Sequence, residues 1–127
     1  MKIRIKGNFI RYRLTQSEVR ALADTGRLEE ETRFGPHDSQ VLRYAIEMKE
    51  NIEGLQADFS HNRLTLYLPI QAAKNWPAED RVGFKQEMQV TPITTLFLLL
   101  EKDFVCLDDV AEDQSDHYPN PRYEKRD

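Results

Sequence analysis

A chain of 127 residues, 39% hydrophobic and 31% charged, has room for one hydrophobic core and too many apolar side chains for a wholly disordered protein. Its net charge of −4 argues against nucleic acid as a partner, because nucleic-acid-binding domains are generally basic. The longest uncharged apolar stretch, residues 90–100, is too short to cross a bilayer, so we expect no membrane association. A single cysteine, Cys106, excludes an internal disulfide, and the absence of a signal-like segment leads us to expect a cytoplasmic protein.

The first half of the chain predicts a hairpin, a helix and two further strands. Apolar and charged side chains alternate over residues 2–6 and again over 10–14. Gly7-Asn8 between them suits either a tight hairpin or a bulge, and we favour the hairpin. Thr15 and Glu18 have the spacing of a capping box, which predicts a helix over residues 16–25. The same alternation predicts strands over residues 28–34 and 42–48.

The second half predicts a similar order of elements. Alternating apolar residues over 55–59 and 64–70 predict another hairpin, and residues 71–76 have the composition of a short helix that Pro77 ends. The last two strands are predicted over residues 82–90 and 93–100, and the second is apolar on both faces, so it should be central or covered. The order strand, strand, helix, strand recurs loosely on either side of residue 60, but no internal repeat is convincing from the sequence.

These elements predict a single α+β domain over residues 1–107. We expect a mainly antiparallel sheet of about eight strands with two short helices, and closure of this sheet would give a barrel-like domain. Residues 108–127 are acidic and polar and form a C-terminal tail in this interpretation.

Positive charge is concentrated at the start of the chain. Residues 1–20 carry six cations and one carboxylate, whereas residues 108–127 carry three cations and seven carboxylates. Because alternate side chains of a strand project to one side, five cations should form a ladder that suits phosphate or another anion. The alternative is an ordinary polar sheet face that meets solvent, with basic and acidic strands compensating each other. The proposed anion-binding residues are Lys2, Arg4, Lys6, Arg11 and Arg13.

The acidic tail is the second candidate site. Its carboxylates and imidazole suit Mg²⁺, Ca²⁺ or Mn²⁺, or Zn²⁺ if the histidine takes part, and the predicted ligands are Asp113, Asp116 and His117. The spacing does not match an EF-hand. A solvated tail, or a tail that lies over the basic strands of its own or a neighbouring subunit, is the alternative.

Common catalytic signatures are absent, including nucleophile-elbow, Walker, Rossmann, Cys-x-x-Cys and His-Glu-x-x-His motifs. The first hypothesis is therefore a noncatalytic binding module for an anionic small molecule or protein partner, with the cofactor unknown. The second is a metal-dependent phosphoryl hydrolase in which the cations hold phosphate while Glu29, Glu31 and a tail carboxylate hold the metal.

Two stretches resemble a family of small uncharacterised bacterial proteins: Met1-Lys2-Ile3-Arg4-Ile5-Lys6-Gly7-Asn8 through Val19, and Glu101 to Leu107 together with Glu112 to Pro121. That family has no assigned activity, so the resemblance implies no function. It does imply an ordered tail that docks on the domain, with Asp113, Asp116, Asn120, Pro119 and Pro121 folding back onto it.

A weaker similarity is to the tunnel barrels of the adenylate-cyclase and thiamine-triphosphatase type. Those enzymes carry Glu-x-Glu-x-Lys on the first strand, whereas this chain has Lys2-x-Arg4-x-Lys6 and lacks the metal-binding carboxylates at these positions. The difference argues against triphosphatase activity and leaves phosphate binding without hydrolysis compatible with the cations.

Overall fold

The computed structural model describes residues 1–104, and the tail and Cys106 lie outside the described residues. The described chain contains eight strands and two α-helices, and two further short segments, Asp38–Gln40 and Trp76–Ala78, form 3₁₀ turns. In chain order these are β1 Lys2–Lys6, β2 Phe9–Leu14, α1 Gln16–Thr25, β3 Arg27–Arg33, β4 Val41–Lys49, β5 Gln56–Ser60, β6 Arg63–Pro69, α2 Ile70–Asn75, β7 Gly83–Thr91 and β8 Thr94–Lys102.

Local signals account for the first hairpin and the first helix. Gly7 has φ 55°, which the two-residue turn between β1 and β2 requires and which glycine adopts without strain. Helix α1 begins with the predicted capping box: the hydroxyl of Thr15 accepts from the amide of Glu18, whose carboxylate accepts from the amide of Thr15 at 2.9 Å. The helix ends at Gly26, which has φ 81°.

The strands of residues 1–104 form two four-stranded sheets. Sheet A has the order β1-β2-β8-β7 and sheet B the order β3-β4-β6-β5. The hairpins are antiparallel, but β2 pairs with β8 and β4 pairs with β6 in parallel. The α+β class and the central position of β8 are confirmed.

Most strand pairs of residues 1–104 are antiparallel, as predicted, but each sheet also contains one parallel pair. The expectation of one barrel-like sheet is wrong, because the described strands form two separate mixed sheets and close no barrel. Alternation reports only that a strand has one buried face, and it is the same for parallel and antiparallel neighbours. The pattern therefore could not predict which hairpins pair with each other, here β1–β2 with β7–β8 and β3–β4 with β5–β6.

Each sheet takes one hairpin from each half of the chain, so the two sheets are related by an internal repeat. In sheet A, Phe9 pairs with Phe97. Arg63 lies 54 positions after Phe9 and Arg43 lies 54 positions before Phe97, and these two arginines pair with each other in sheet B. The β5–β6 turn likewise has positive φ at His61, matching Gly7. The succession of elements noted in the sequence is thus a structural repeat, β1-β2-α1-β3-β4 followed by β5-β6-α2-β7-β8.

The core lies between the helices and one face of each sheet. Its buried residues obey the same repeat of 54 positions, as Leu14 with Leu68 and Leu22 with Trp76 show. Trp76 is fully buried, donates from its indole nitrogen to the carbonyl of Arg81 at 2.8 Å and packs edge-to-face on Phe84. The opposite face of each sheet, turned away from this core, carries the charged side chains.

No helix within residues 1–104 is long and apolar enough to span a membrane.

Candidate functional site

The five predicted anion-binding residues lie together on one side of sheet A, which we call its charged face. Residues directly opposite on neighbouring strands share a face, and the register places Lys2 opposite Arg13 and Arg4 opposite Arg11. Lys6 lies opposite Phe9 at the turn end of the same hairpin. The structure therefore brings these cations together, whereas their binding of an anion remains a prediction.

Strands β8 and β7 extend this face into a grid of three rows. Each row runs across β1, β2, β8 and β7, so neighbours in a row are about 5 Å apart and rows are about 7 Å apart. The first row is Lys2, Arg13, Glu101 and Gly83; the second is Arg4, Arg11, Leu99 and Lys85; the third is Lys6, Phe9, Phe97 and Glu87.

Both cations of the first row, and Arg11 of the second row, have acidic partners. Nε of Arg11 lies 2.6 Å from Oε1 of Glu101, and Nε of Arg13 lies 4.0 Å from the same oxygen. Nζ of Lys2 lies 3.0 Å from Oδ2 of Asp103, and this hydrogen bond lowers the pKa of Asp103 below its ordinary value. Two carboxylates at the end of β8 thus compensate three of the predicted cations.

Three other cations of the grid are exposed and form no ion pair with any residue of 1–104; we call them the uncompensated cations. They lie in the second and third rows, away from Glu101 and Asp103. They are Arg4, Lys6 and Lys85, of which Lys85 was absent from the sequence-based prediction.

The aromatic pair, Phe9 and Phe97, occupies the centre of the third row. The two residues are directly opposite each other on the two central strands and are 37% and 41% exposed. Together with Leu99 and Lys85 they line a depression of about 540 Å³. Sequence reasoning missed this pair. The available signal was that Phe9 and Phe97, like the cations, alternate with the buried residues of their strands and therefore belong to the opposite face.

The equivalent face of sheet B provides an internal comparison. Its twelve equivalent positions hold three cations and four carboxylates, whereas the grid of sheet A holds six cations and two carboxylates. Each arginine of the sheet B positions has an acidic partner: Arg63 lies 2.8 Å from Glu29, Arg43 lies 3.4 Å from Glu31, and Arg27 lies near both Glu29 and Glu47.

Glu29 and Glu31 were the predicted metal ligands of the hydrolase hypothesis. They lie on sheet B, paired with arginines, whereas the predicted phosphate-binding cations lie on sheet A. Asp113, Asp116 and His117 lie outside the described residues. Within residues 1–104, no three histidine, cysteine or acidic side chains are grouped in a way that could hold a metal ion.

Comparison with known proteins supplies the family and no activity. No curated protein and no solved structure matches the chain. The model of a family of unknown function, DUF7009, matches residues 1–122, which include the whole of both sheets. The chain therefore belongs to this family of unknown function, DUF7009.

Proposed function

We propose that the protein is a noncatalytic binding module that holds an anionic ligand on the charged face of sheet A. The observation that supports this most strongly is the contrast between the two repeats. The same scaffold occurs twice, and one copy has each arginine of this face paired with a carboxylate while the other keeps three uncompensated cations.

Electrostatics gives the contrast its meaning. Like charges directly opposite each other in a sheet are destabilising, and Arg4 faces Arg11 across β1 and β2. Glu101 forms ion pairs with Arg11 and Arg13, which reduces the repulsion at Arg11. Within the described residues it forms no ion pair with Arg4. A bound anion near Arg4 and Lys6 would relieve the remainder, so ligand binding and fold stability are coupled at this face.

The phosphoryl hydrolase is less well supported. It needs carboxylates that are available to a metal and close to the phosphate-binding cations. Glu29 and Glu31 are already engaged by Arg63 and Arg43 on the other sheet. A noncatalytic site requires only the cations.

Thermal unfolding of the full chain with and without tripolyphosphate tests the proposal. A ligand at a hundred times its dissociation constant adds about 2.7 kcal/mol, which is a shift of several degrees in a domain of this size. We expect this shift in the wild type and in Lys74→Gln, an exposed lysine on α2, and a much smaller shift in Arg4→Gln. Added salt should reduce it.

Two results would contradict the proposal. The absence of any shift in the wild type, or an equal shift in Arg4→Gln and Lys74→Gln, would mean that the charged face does not bind the anion. Release of orthophosphate that requires both Mg²⁺ and Arg4 would replace the noncatalytic function by the hydrolase.

A further inference from the structure

We propose that the anionic ligand is a nucleotide, whose base stacks on the aromatic pair and whose phosphates lie over Arg4 and Lys6. This inference rests on the proposed anion-binding function and adds the second chemical part of the ligand. Its basis is the position of Phe9 and Phe97 among the uncompensated cations.

The fold itself does not require aromatic residues at these two positions. In the other repeat they are Arg63 and Arg43, which form ion pairs with Glu29 and Glu31. Sheet A instead leaves two phenyl rings partly in water on an otherwise charged face, where each costs hydrophobic free energy until something covers it. A ligand with a flat apolar part would cover both rings.

The arrangement around the rings gives the ligand a direction. Lys6 lies beside Phe9 in the third row, and Arg4 lies one row away on the same edge strand, both within reach of a phosphate that follows a base stacked on Phe9. At the opposite end of the row Glu87 lies beside Phe97, and its carboxylate repels phosphate there. The phosphates therefore lie over β1 and the base over β2 and β8.

Glu87 also suits a base more than a simple anion. A carboxylate accepts hydrogen bonds from the exocyclic amino groups that adenine, cytosine and guanine carry. The depression of about 540 Å³ beside Phe9, Phe97 and Leu99 falls within the ordinary range of small-ligand sites. Aromatic stacking of this kind tolerates different bases, because every base has a π-face.

The net charge of −4 disfavours the binding of long nucleic acid by the protein as a whole. It does not determine the local charge of the grid on sheet A, which holds six cations and two carboxylates. The recognised unit is the nucleotide, and it has two sources: a free nucleotide or one residue of a single strand. The experiment must separate these sources as well as test the stacking.

Titration calorimetry on the full chain should compare ATP with tripolyphosphate, which has the phosphates without the base. We expect ATP to bind more tightly, and Phe97→Ala to weaken ATP roughly 5- to 150-fold while leaving tripolyphosphate unchanged. Arg4→Gln should weaken both ligands. Phe59→Ala is the matched control, because Phe59 is 64% exposed on sheet B and should affect neither ligand.

The outcomes distinguish the two proposals. If Phe97→Ala leaves ATP binding unchanged, or weakens both ligands equally, the stacked base is wrong and the anion site stands. If the wild type binds neither ligand, the anion-binding function has failed as well. If, in addition, Phe97→Ala and Arg4→Gln both destabilise the unliganded protein, the face is covered by another part of the chain.

A short single-stranded oligonucleotide and an abasic strand of equal length identify the source. Tighter binding of the strand than of ATP, lost in the abasic strand and in Phe97→Ala, assigns the site to a single strand. Equal or weaker binding of the strand assigns it to a free nucleotide, and binding that the abasic strand retains in full contradicts stacking.

Discussion

Replacing Glu101 with Gln should destabilise the protein and strengthen its binding of anions. Glu101 holds Arg11 at 2.6 Å and is 20% exposed, with Arg11 24% exposed, so the hydrogen bond is charge-assisted and partly shielded from water. Bonds of this kind contribute about 1.5–3 kcal/mol, and exposed pairs about 0–1 kcal/mol, so we expect a loss of about 1–2 kcal/mol. The same change removes a negative charge that lies two strands and one row, about 12 Å, from Arg4, where the phosphates are proposed to lie. At an effective dielectric between 20 and 80 this charge is worth about 0.3–1.4 kcal/mol, or roughly two- to tenfold in affinity.

Urea denaturation measures the first effect and titration with tripolyphosphate measures the second, at two salt concentrations. The matched control is Glu47→Gln, since Glu47 occupies the equivalent position in sheet B and lies 3.3 Å from Arg27. Both variants should lose stability, but only Glu101→Gln should gain affinity, and the gain should shrink at high salt. Unchanged or weaker anion binding in Glu101→Gln would refute the reasoning, because the charged face would then not be where the anion binds.

Three further predictions concern the fold. The hydroxyl of Tyr12 is buried without a hydrogen-bond partner in residues 1–104, so Tyr12→Phe should keep or raise the free energy of unfolding, by up to about 1 kcal/mol, and a clear loss in urea would mean that the hydroxyl has a partner. Burial acts to raise the pKa of Glu18, but the amino group of Met1 and the Thr15 cap outweigh it and hold that pKa below its ordinary value. The stabilisation is therefore present above the unfolded pKa and lost as pH falls through the lower folded one, and Glu18→Gln should flatten this part of an acid unfolding curve. A Cβ at Gly83 would collide with the carbonyl oxygen of Leu100, so Gly83→Ala should cost about 1–3 kcal/mol by thermal unfolding, and near-wild-type stability would contradict the strand register.

Local sequence signals predicted the elements because each depends on neighbouring residues. Alternation located the strands, and the Thr15–Glu18 spacing located the start of α1. Pairing across the sheet could not be predicted in this way, since β2 and β8 lie at opposite ends of the described chain. Two sheets and one sheet present the same pattern of buried positions.

The candidate site divides along the same line. Lys2, Arg4 and Lys6 share a face with the cations of β2 because a two-residue hairpin joins the strands, and alternation alone implies this. Phe97 and Lys85 reach the same face only through the long-range pairing of β8 with β2 and β7. The part of the site that gives it an aromatic surface was therefore invisible to local reasoning.

The internal repeat supports the proposal that the charged face of sheet A is a binding surface. A solvent-exposed sheet face has no need of unbalanced charge, and sheet B shows that this scaffold can be built with its arginines paired. In sheet A the carboxylates equivalent to Glu47 and Glu31 are retained as Glu101 and Glu87. The position of Glu29 holds Lys85 instead, and the positions of Arg63 and Arg43 hold the aromatic pair. Since both repeats bury equivalent core residues, packing does not account for this difference. The proposed ligand, an anion with a flat apolar part, would account for the cations and the phenyl rings together.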